Sequence, residues 1–329
     1  MAWEIQYRRG VWLPQIGWWL DAQAAGDRSF VSHAHSDHLA PHREILCTAA
    51  TARLMRARLS ARPREHLLPF GRTEPLAPGT AVTLFPAGHI LGSAQCLLAH
   101  DREGTLLYTG DCKLEPGLAA EACVVPRADV LIMETTFGLP RYVFPPAAQI
   151  RAEIVAFCRE ALAAGSTPVL MAYSLGKSQE LLQVVAGAQL PVMLHSQAHR
   201  MTRIYEDLGM SFPPFRAFAA GAAAGHVVIF PPQMGRMTLL EAIPRRRTAI
   251  VSGWALDPGA IYRYQCDAAF PLSDHAGFPD LLELVERVQP RVVYTLHGFA
   301  RVFAQTLRAR GREAWALGAD NQLELGLPP

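Results

Sequence analysis

From Thr80 onward the chain alternates short apolar, β-branched runs with stretches whose apolar positions recur at helical spacing. The runs predict strands over Val82–Phe85, Thr105–Thr109, Val130–Glu134, Pro168–Tyr173, Pro191–His195, His226–Phe230, Thr248–Ser252 and Arg291–Leu296. Helices are predicted over Ala147–Ala164, closed by Gly165, and over Phe278–Val288, closed before Pro290. Residues 168–251 thus read strand, helix, strand in succession, the pattern of a parallel α/β sheet. The segment Trp3 to Phe30 differs, with aromatic and β-forming residues broken by Gly and Pro, which predicts hairpins. No repeat of fixed period and no low-complexity linker interrupts the pattern. A domain boundary therefore has to come from chemistry.

Composition narrows the class. Half of the 329 residues are apolar, which excludes a disordered polar chain. Lys and Arg number 31 against 29 Asp and Glu, a net charge of +2, which excludes a highly basic nucleic-acid wrapper. The length fits about two domains, or one α/β unit carrying an insertion. Only Lys113 and Lys177 are lysines; genomic base composition explains the arginine excess more simply than a choice for bidentate phosphate binding. Met1 to Gly10 shows no apolar run behind a basic start, so no signal peptide is expected, and no stretch reaches the roughly 18 apolar residues of a membrane span. Cys47, Cys96, Cys112, Cys123, Cys158 and Cys266 are scattered singly and read as reduced, mostly buried thiols of a cytoplasmic protein. Cys112, beside Asp111, is a candidate for reactivity.

The densest chemistry follows the apolar pair Phe30–Val31: His33-Ala34-His35-Ser36-Asp37-His38. In an extended segment residues i and i+2 project to one side, so His33 and His35 can close on one ion. As the chain turns, Asp37 and His38 are released toward a second. Imidazole and carboxylate without thiolate suit catalytic zinc, and also manganese or iron; the competing reading is a solvated polar loop. Further ligands must come from elsewhere. His89 lies in Pro86-Ala87-Gly88-His89-Ile90-Leu91-Gly92-Ser93, Asp111 ends Leu106-Leu107-Tyr108-Thr109-Gly110-Asp111, and His297 follows Val292–Leu296. Singly, each is more often a capping or core-edge residue. All three, however, close predicted strands, where α/β proteins build their sites.

His33-x-His35-x-Asp37-His38, followed by His89, Asp111 and His297, resembles the metallo-β-lactamase fold. The resemblance implies an αββα sandwich, two sheets packed between helices, with metals at one edge. Asp21 in Leu20-Asp21-Ala22 is similar to that fold's first motif, an aspartate that orients the ligand loop from the second shell; on its own it reads equally as a turn residue. Glu134 in Leu131-Ile132-Met133-Glu134-Thr135-Thr136-Phe137-Gly138 resembles motif A of the β-CASP nucleases. His275 in Leu272-Ser273-Asp274-His275 resembles motif B, and Thr295-Leu296-His297-Gly298 resembles motif C. The strand and helix alternation between A and B is what an inserted β-CASP cap would contain, and Ala172-Tyr173-Ser174-Leu175-Gly176-Lys177-Ser178-Gln179-Glu180 is similar to a segment of such caps. The implied domains are 1–140 and 273–329 for the metallo-β-lactamase unit and 141–272 for the cap. In character the chain is nearest to the bacterial ligase-associated DNA exonucleases, relatives of Artemis-type enzymes and ribonuclease J.

The resemblance implies a hydrolase: a two-metal phosphodiesterase acting in DNA repair as an exonuclease, in which the metals activate a hydroxide. His33, His35, His89 and Asp111 would hold the first ion and Asp37, His38, Asp111 and His297 the second, most simply Zn2+, with Mn2+ as the other candidate. Asp37, His275 and Glu134 would be catalytic, His275 as general acid polarised by Glu134. The implied partners are single-stranded DNA or DNA ends, and a DNA ligase and helicase of a repair system, with no membrane. Ser174 and Lys177, at a predicted helix N-terminus, and His195 are candidates for binding substrate phosphates, although a cap without a ligand is the commoner meaning of such a terminus. Arg53, Arg56, Arg58, Arg62 and Arg64, and the run Arg245-Arg246-Arg247, read either as solvated surface or as a track for a nucleic-acid backbone. His297 is the RNA-type residue at motif C, where the crosslink-repair group tends to carry valine, so RNA is the alternative substrate. A small-molecule hydrolase of the same superfold and a non-catalytic binding platform are the rival classes.

Overall fold

The computed structural model describes residues 3–232 and 240–318. The chain folds as two compact units, Met1–Val143 with His275–Pro329, and Phe144–Asp274. Among the described residues no helix is long and apolar enough to cross a membrane.

The first unit contains two sheets. One has six strands in chain order: Gln6–Tyr7, Val11–Leu13, Trp18–Leu20, Arg28–Phe30, Glu44–Cys47 and Arg64–Leu67. Its first three strands are antiparallel, as the hairpin pattern predicts, and the rest continue in parallel. Period-two alternation sends Val11, Leu13, Trp18 and Leu20 into the core. Trp12 and Trp19, paired in register, meet on the other face with ring centroids 4.9 Å apart.

The other sheet runs Glu313–Ala316, Val292–Leu296, Val130–Glu134, Gly104–Tyr108, Ala94–His100, Thr80–Pro86 and Thr73–Ala77. Leu106, Tyr108, Val130 and Ile132 face the first sheet in a shared core with Phe30 and Leu46. Leu107, Leu131, Met133 and Val293 point the other way, onto two helices, Phe278–Val288 and Ala300–Ala309. The helix Phe278–Val288 forms because Leu281, Leu284, Val285 and Val288 recur on one face. Asp280 Oδ2 accepts from the Gly277 N–H at 3.1 Å to start it, and Gln289 in the left-handed region ends it before Pro290. Each fully buried leucine there contributes about 1.5–3 kcal/mol.

Register places the chemistry. Gly104–Tyr108, Val130–Glu134 and Val292–Leu296 are parallel neighbours, with Tyr108 opposite Ile132 and Glu134 opposite Leu296. Their C-terminal ends therefore deliver Asp111, Glu134 and His297 to one edge. The antiparallel pair Pro86 and Ala94 brings the His89 loop to the same edge. In the first sheet the parallel pair Leu20 and Phe30 does the same for Asp21 and His33.

The second unit holds six strands, all parallel: Phe215–Ala217, Val192–Leu194, Val227–Phe230, Thr167–Met171, Arg246–Val251 and Ala268–Phe270. The central strands are buried on both faces, as a parallel sheet requires. The helix Ala147–Ala163 packs Ile150, Ile154 and Phe157 against one face, with Leu181, Leu182 and Val185 of the helix Lys177–Gly187 beside them. Predicted strand limits shift by one or two residues. The strand expected to reach Tyr173 stops at Met171, and Tyr173 is an exposed aromatic.

Candidate metal centre

Three imidazoles and a carboxylate converge in the first unit. His33 Nε2 lies 3.1 Å from His35 Nδ1, and His89 Nε2 lies 3.0 Å from the same nitrogen. Asp111 Oδ2 is 3.5 Å from His33 Nε2 and 3.8 Å from His89 Nε2. One donor atom from each of the four fits within 4.8 Å of all the others. Donors around a tetrahedral zinc with Zn–N bonds of 2.0–2.1 Å would stand roughly 3.3 Å apart, so this donor set fits a metal ion.

Asp111 also faces the next histidine, its Oδ2 3.4 Å from His38 Nε2, so its carboxylate stands between two groups of donors. Asp37, on the 3-10 turn Ser36–His38, is largely exposed and lies 3.8 Å from His38 Nε2. The His297 ring centroid is 5.7 Å from that of His38. His297 has a positive φ of 59°, and Gly298 after it has φ +54° and no room for a side chain, since a Cβ would lie 2.5 Å from Thr136 Cα.

Glu134 and His275 form a second constellation. His275 Nδ1 is 3.0 Å from both carboxylate oxygens of Glu134, while Glu134 accepts the Cys112 N–H at 2.7 Å and the Thr136 hydroxyl. Glu134 is fully buried, yet all its donors are supplied by protein, which offsets the cost of burying its charge. Asp111, Glu134 and His275 also group their donor atoms within 4.8 Å. The pair thus stands directly beside the carboxylate of the metal cluster.

A protein of Opitutus terrae named as a probable DNA ligase is 62% identical over 327 residues, covering 99% of this chain and 32% of that protein. The 5′ exonuclease Apollo of Gallus gallus is 26% identical over 293 residues, 84% of this chain and 60% of that protein. The transcription termination factor FttA of Methanocaldococcus jannaschii is 35% identical over 127 residues, 37% of this chain and 20% of that protein. These relatives support the resemblance of the chain to the β-CASP metallo-β-lactamase nucleases. The chain spans about a third of the length of the probable DNA ligase. No family model matches the chain.

For a candidate metal centre the protonation states matter as much as the distances. Burial, reinforced by His38, pushes His33 well below the ordinary imidazole range, and the same two causes lower His297. Both are therefore neutral at pH 7, the form a metal ion takes up. Burial opposes a charge on His38, but Asp111 and Asp21 together hold it well above the usual range. Burial would likewise raise Asp111, yet His38, His275 and His33 hold it well below. Burial and the neighbouring Glu134 charge push the Cys112 thiol well above the normal value, which disfavours the thiolate.

Asp21, the aspartate expected to orient the ligand loop, stands at φ 47° and accepts from the Ser32 N–H at 2.7 Å, the Ser32 hydroxyl at 2.5 Å, His38 Nδ1 at 2.8 Å and the Tyr108 hydroxyl at 2.9 Å. Its partners Ser32 and Tyr108, like Thr136 beside Glu134, escape sequence reasoning. Gly110, at φ +55°, leaves Ser32 its place, since a Cβ there would lie 2.5 Å from Ser32 Cβ. Ser32 and Tyr108 are ordinary strand-end residues whose partner Asp21 is distant in sequence, whereas Thr136 bonds Glu134 only two residues away. The local signals are the position of Ser32 immediately before His33 and that of Thr136 just after Glu134.

The second unit gives other candidates internal partners. Lys177 does open a helix, but it is almost completely buried, with Nζ 3.1 Å from Glu180 Oε2 and 3.9 Å from Asp274 Oδ1. His195 caps the helix Ser196–Asp207, its Nδ1 accepting from the Gln197 N–H at 3.2 Å. Ser174 is half-buried, and its carbonyl accepts from Gln179 Nε2. Within the arginine run Arg246 bonds the Leu240 and Ile243 carbonyls, and Arg247 lies 4.8 Å over the Phe157 ring. In the first unit Arg56 pairs with Glu65, and Arg62 bonds the carbonyls of its own loop. Arg58 lies within electrostatic reach of Asp37.

Proposed function

We propose that the chain is a metal-dependent phosphodiesterase, a DNA exonuclease of a repair system. The observation that carries this reading is the Glu134–His275 pair standing beside a metal-binding cluster, with Asp111 common to both groups. A metal-binding group alone would suit many hydrolases. An imidazole held at Nδ1 by a buried carboxylate adds a proton donor for a poor leaving group, which phosphodiester cleavage needs.

Under this reading His33, His35, His89 and Asp111 hold one divalent ion, and Asp37, His38, Asp111 and His297 the other. The nitrogen and oxygen donor set suits Zn2+ first and Mn2+ second. When bound, such ions supply Lewis-acid polarisation of the phosphodiester and lower the pKa of an attacking water. Asp37, exposed at the rim, is the carboxylate that meets incoming substrate and water. Glu134, fixed by the Cys112 N–H and Thr136, keeps the His275 ring in place, and His275 Nε2 delivers a proton to the leaving oxygen. Asp21 orients His38 and the ligand loop.

The two sheets of the first unit with their outer helices make the αββα sandwich, and residues 141–272 the inserted cap. Within the cap Ser174 is retained as a contact for substrate, while Lys177 and His195 act through the internal bonds described above. Single-stranded DNA or DNA ends are the substrate, in the cytoplasm. A ligase partner is supported by the probable DNA ligase, one third of which is aligned with this chain; a helicase completes the proposed system. A time course with 5′- and 3′-labelled DNA and RNA strands, with zinc, manganese or chelator, tests the reading. Stepwise shortening of DNA from one end is expected. Cleavage of RNA alone would substitute the RNA reading suggested by His297, and hydrolysis of lactones or thioesters without either would overturn the proposal.

A further inference from the structure

One buried carboxylate touches both halves of the centre. Asp21 accepts His38 Nδ1 directly, and it accepts the Ser32 hydroxyl, whose oxygen lies 2.9 Å from His33 Nδ1. Ser32 has one hydroxyl proton, and at 2.5 Å from a carboxylate oxygen that proton goes to Asp21. The Ser32 oxygen is then an acceptor, so His33 must carry its proton on Nδ1. Its Nε2 lone pair is thereby turned to His35 and Asp111. His38 donates from Nδ1 to the same carboxylate, which turns its Nε2 to Asp111 and Asp37. Tyr108, fully buried, has its hydroxyl on Asp21 and holds the carboxylate from the neighbouring sheet.

We propose that Ser32 and Tyr108 are positioning residues with separate roles. Ser32 sets the proton position of His33 and so the affinity of one metal position, whereas Tyr108 sets Asp21 and so both. The inference rests on the metal-dependent reading above, with His33 and His38 belonging to different ions. Loss of an acceptor behind a metal-bound histidine costs 10–100-fold in affinity. Ser32→Ala therefore weakens one zinc ion by about 10–100-fold and, through the donor it takes from Asp21, the other ion by a much smaller factor. Tyr108→Phe removes one of several donors to Asp21, and weakens both ions by a similar and smaller factor.

The test is competition for Zn2+ between each full-length variant and a chromophoric chelator, together with long-range proton–nitrogen NMR of the histidines in the zinc-loaded wild type. The expected result is one ion weakened far more than the other in Ser32→Ala, two weakened alike in Tyr108→Phe, and a protonated Nδ1 on His33. Equal weakening of both ions by Ser32→Ala, no weakening at all, or a His33 ring without a proton on Nδ1 overturns the inference. The NMR measurement needs no variant, so it decides even if Ser32→Ala fails to fold. A wild type that binds no pair of ions would instead sink the metal-dependent reading, which keeps the two failures apart.

Discussion

Removing the His275 imidazole separates proton donation from everything else the centre does. In His275→Ala, Glu134 keeps the Cys112 N–H on one oxygen and the Thr136 hydroxyl on the other, so no buried carboxylate oxygen is left bare. The stability loss is then that of a charge-assisted hydrogen bond, about 1.5–3 kcal/mol. For a chain of this size that corresponds to a melting temperature lower by roughly 2–4 °C. The proposed metal donors His33, His35, Asp37, His38, His89, Asp111 and His297 are untouched, so two ions per chain should remain by elemental analysis. General-acid catalysis contributes about 10²–10⁴-fold, or roughly 2.7–5.4 kcal/mol of barrier. The variant should therefore lose about that much in turnover on a DNA strand. With a nitrophenyl ester of a nucleotide, whose leaving group needs no proton, the loss should shrink to less than about tenfold. Equal losses on the two substrates, at full metal occupancy, would refute the acid assignment.

Asp111→Asn should lower metal content, because the amide is a poorer ligand at a position that faces both donor groups; two ions retained per chain would rule out a bridging role. The metal-free protein should lose stability on both sides of neutrality. His33 and His297 have lowered folded pKa values, so below about pH 6.5 the unfolded chain binds more protons and stability falls with acidification. His38 has a raised value, so its contribution is present below about pH 6.5 and fades as pH rises through the folded value. Asp111, lowered, contributes above the unfolded carboxylate value of about 3.9 and loses that contribution only as pH drops through its folded value. Melting temperatures of chelated and metal-loaded protein across this range check the sign of each limb. Gly298→Ala should cost at least about 1–2 kcal/mol from the left-handed backbone alone, and it should reduce activity further by displacing Thr136 from Glu134. Unchanged melting and turnover would contradict that packing.

The parts of the fold written in local periodicity are legible in the chain itself. Val130–Glu134 and Phe278–Val288 have the predicted limits, because four consecutive apolar residues closed by a glutamate and a helix with apolar residues at i, i+3, i+4 and i+7 announce themselves within one window. The histidine cluster is legible for a similar reason, since its spacing concentrates ligands faster than a core would. What stays hidden depends on contacts between distant segments. Tyr108 meets Asp21 across 87 positions, and nothing about a tyrosine in an apolar strand distinguishes it from core. Lys177 reads as a phosphate hook because a helix terminus is visible in sequence, whereas the burial that turns it onto Glu180 comes from tertiary packing. The arginines at 246 and 247 follow the same rule, absorbed by carbonyls and an aromatic ring of their own unit.

The parallel pairing of Val130–Glu134 with Val292–Leu296 has a cost during synthesis. Every residue of the second unit must leave the ribosome after the first strand and before its neighbour, an interval of about 160 residues, or on the order of ten to thirty seconds at about 5–20 residues per second. Throughout that time the earlier strand has an unpaired edge of Val, Leu, Ile and Met, the kind of template on which nascent chains aggregate. His33, His35, His89 and Asp111 already exist then, but His275 and His297 do not. A chain interrupted in this window would carry the first donor group without the acid, so the proposed centre is complete only once His275 and His297 have been made.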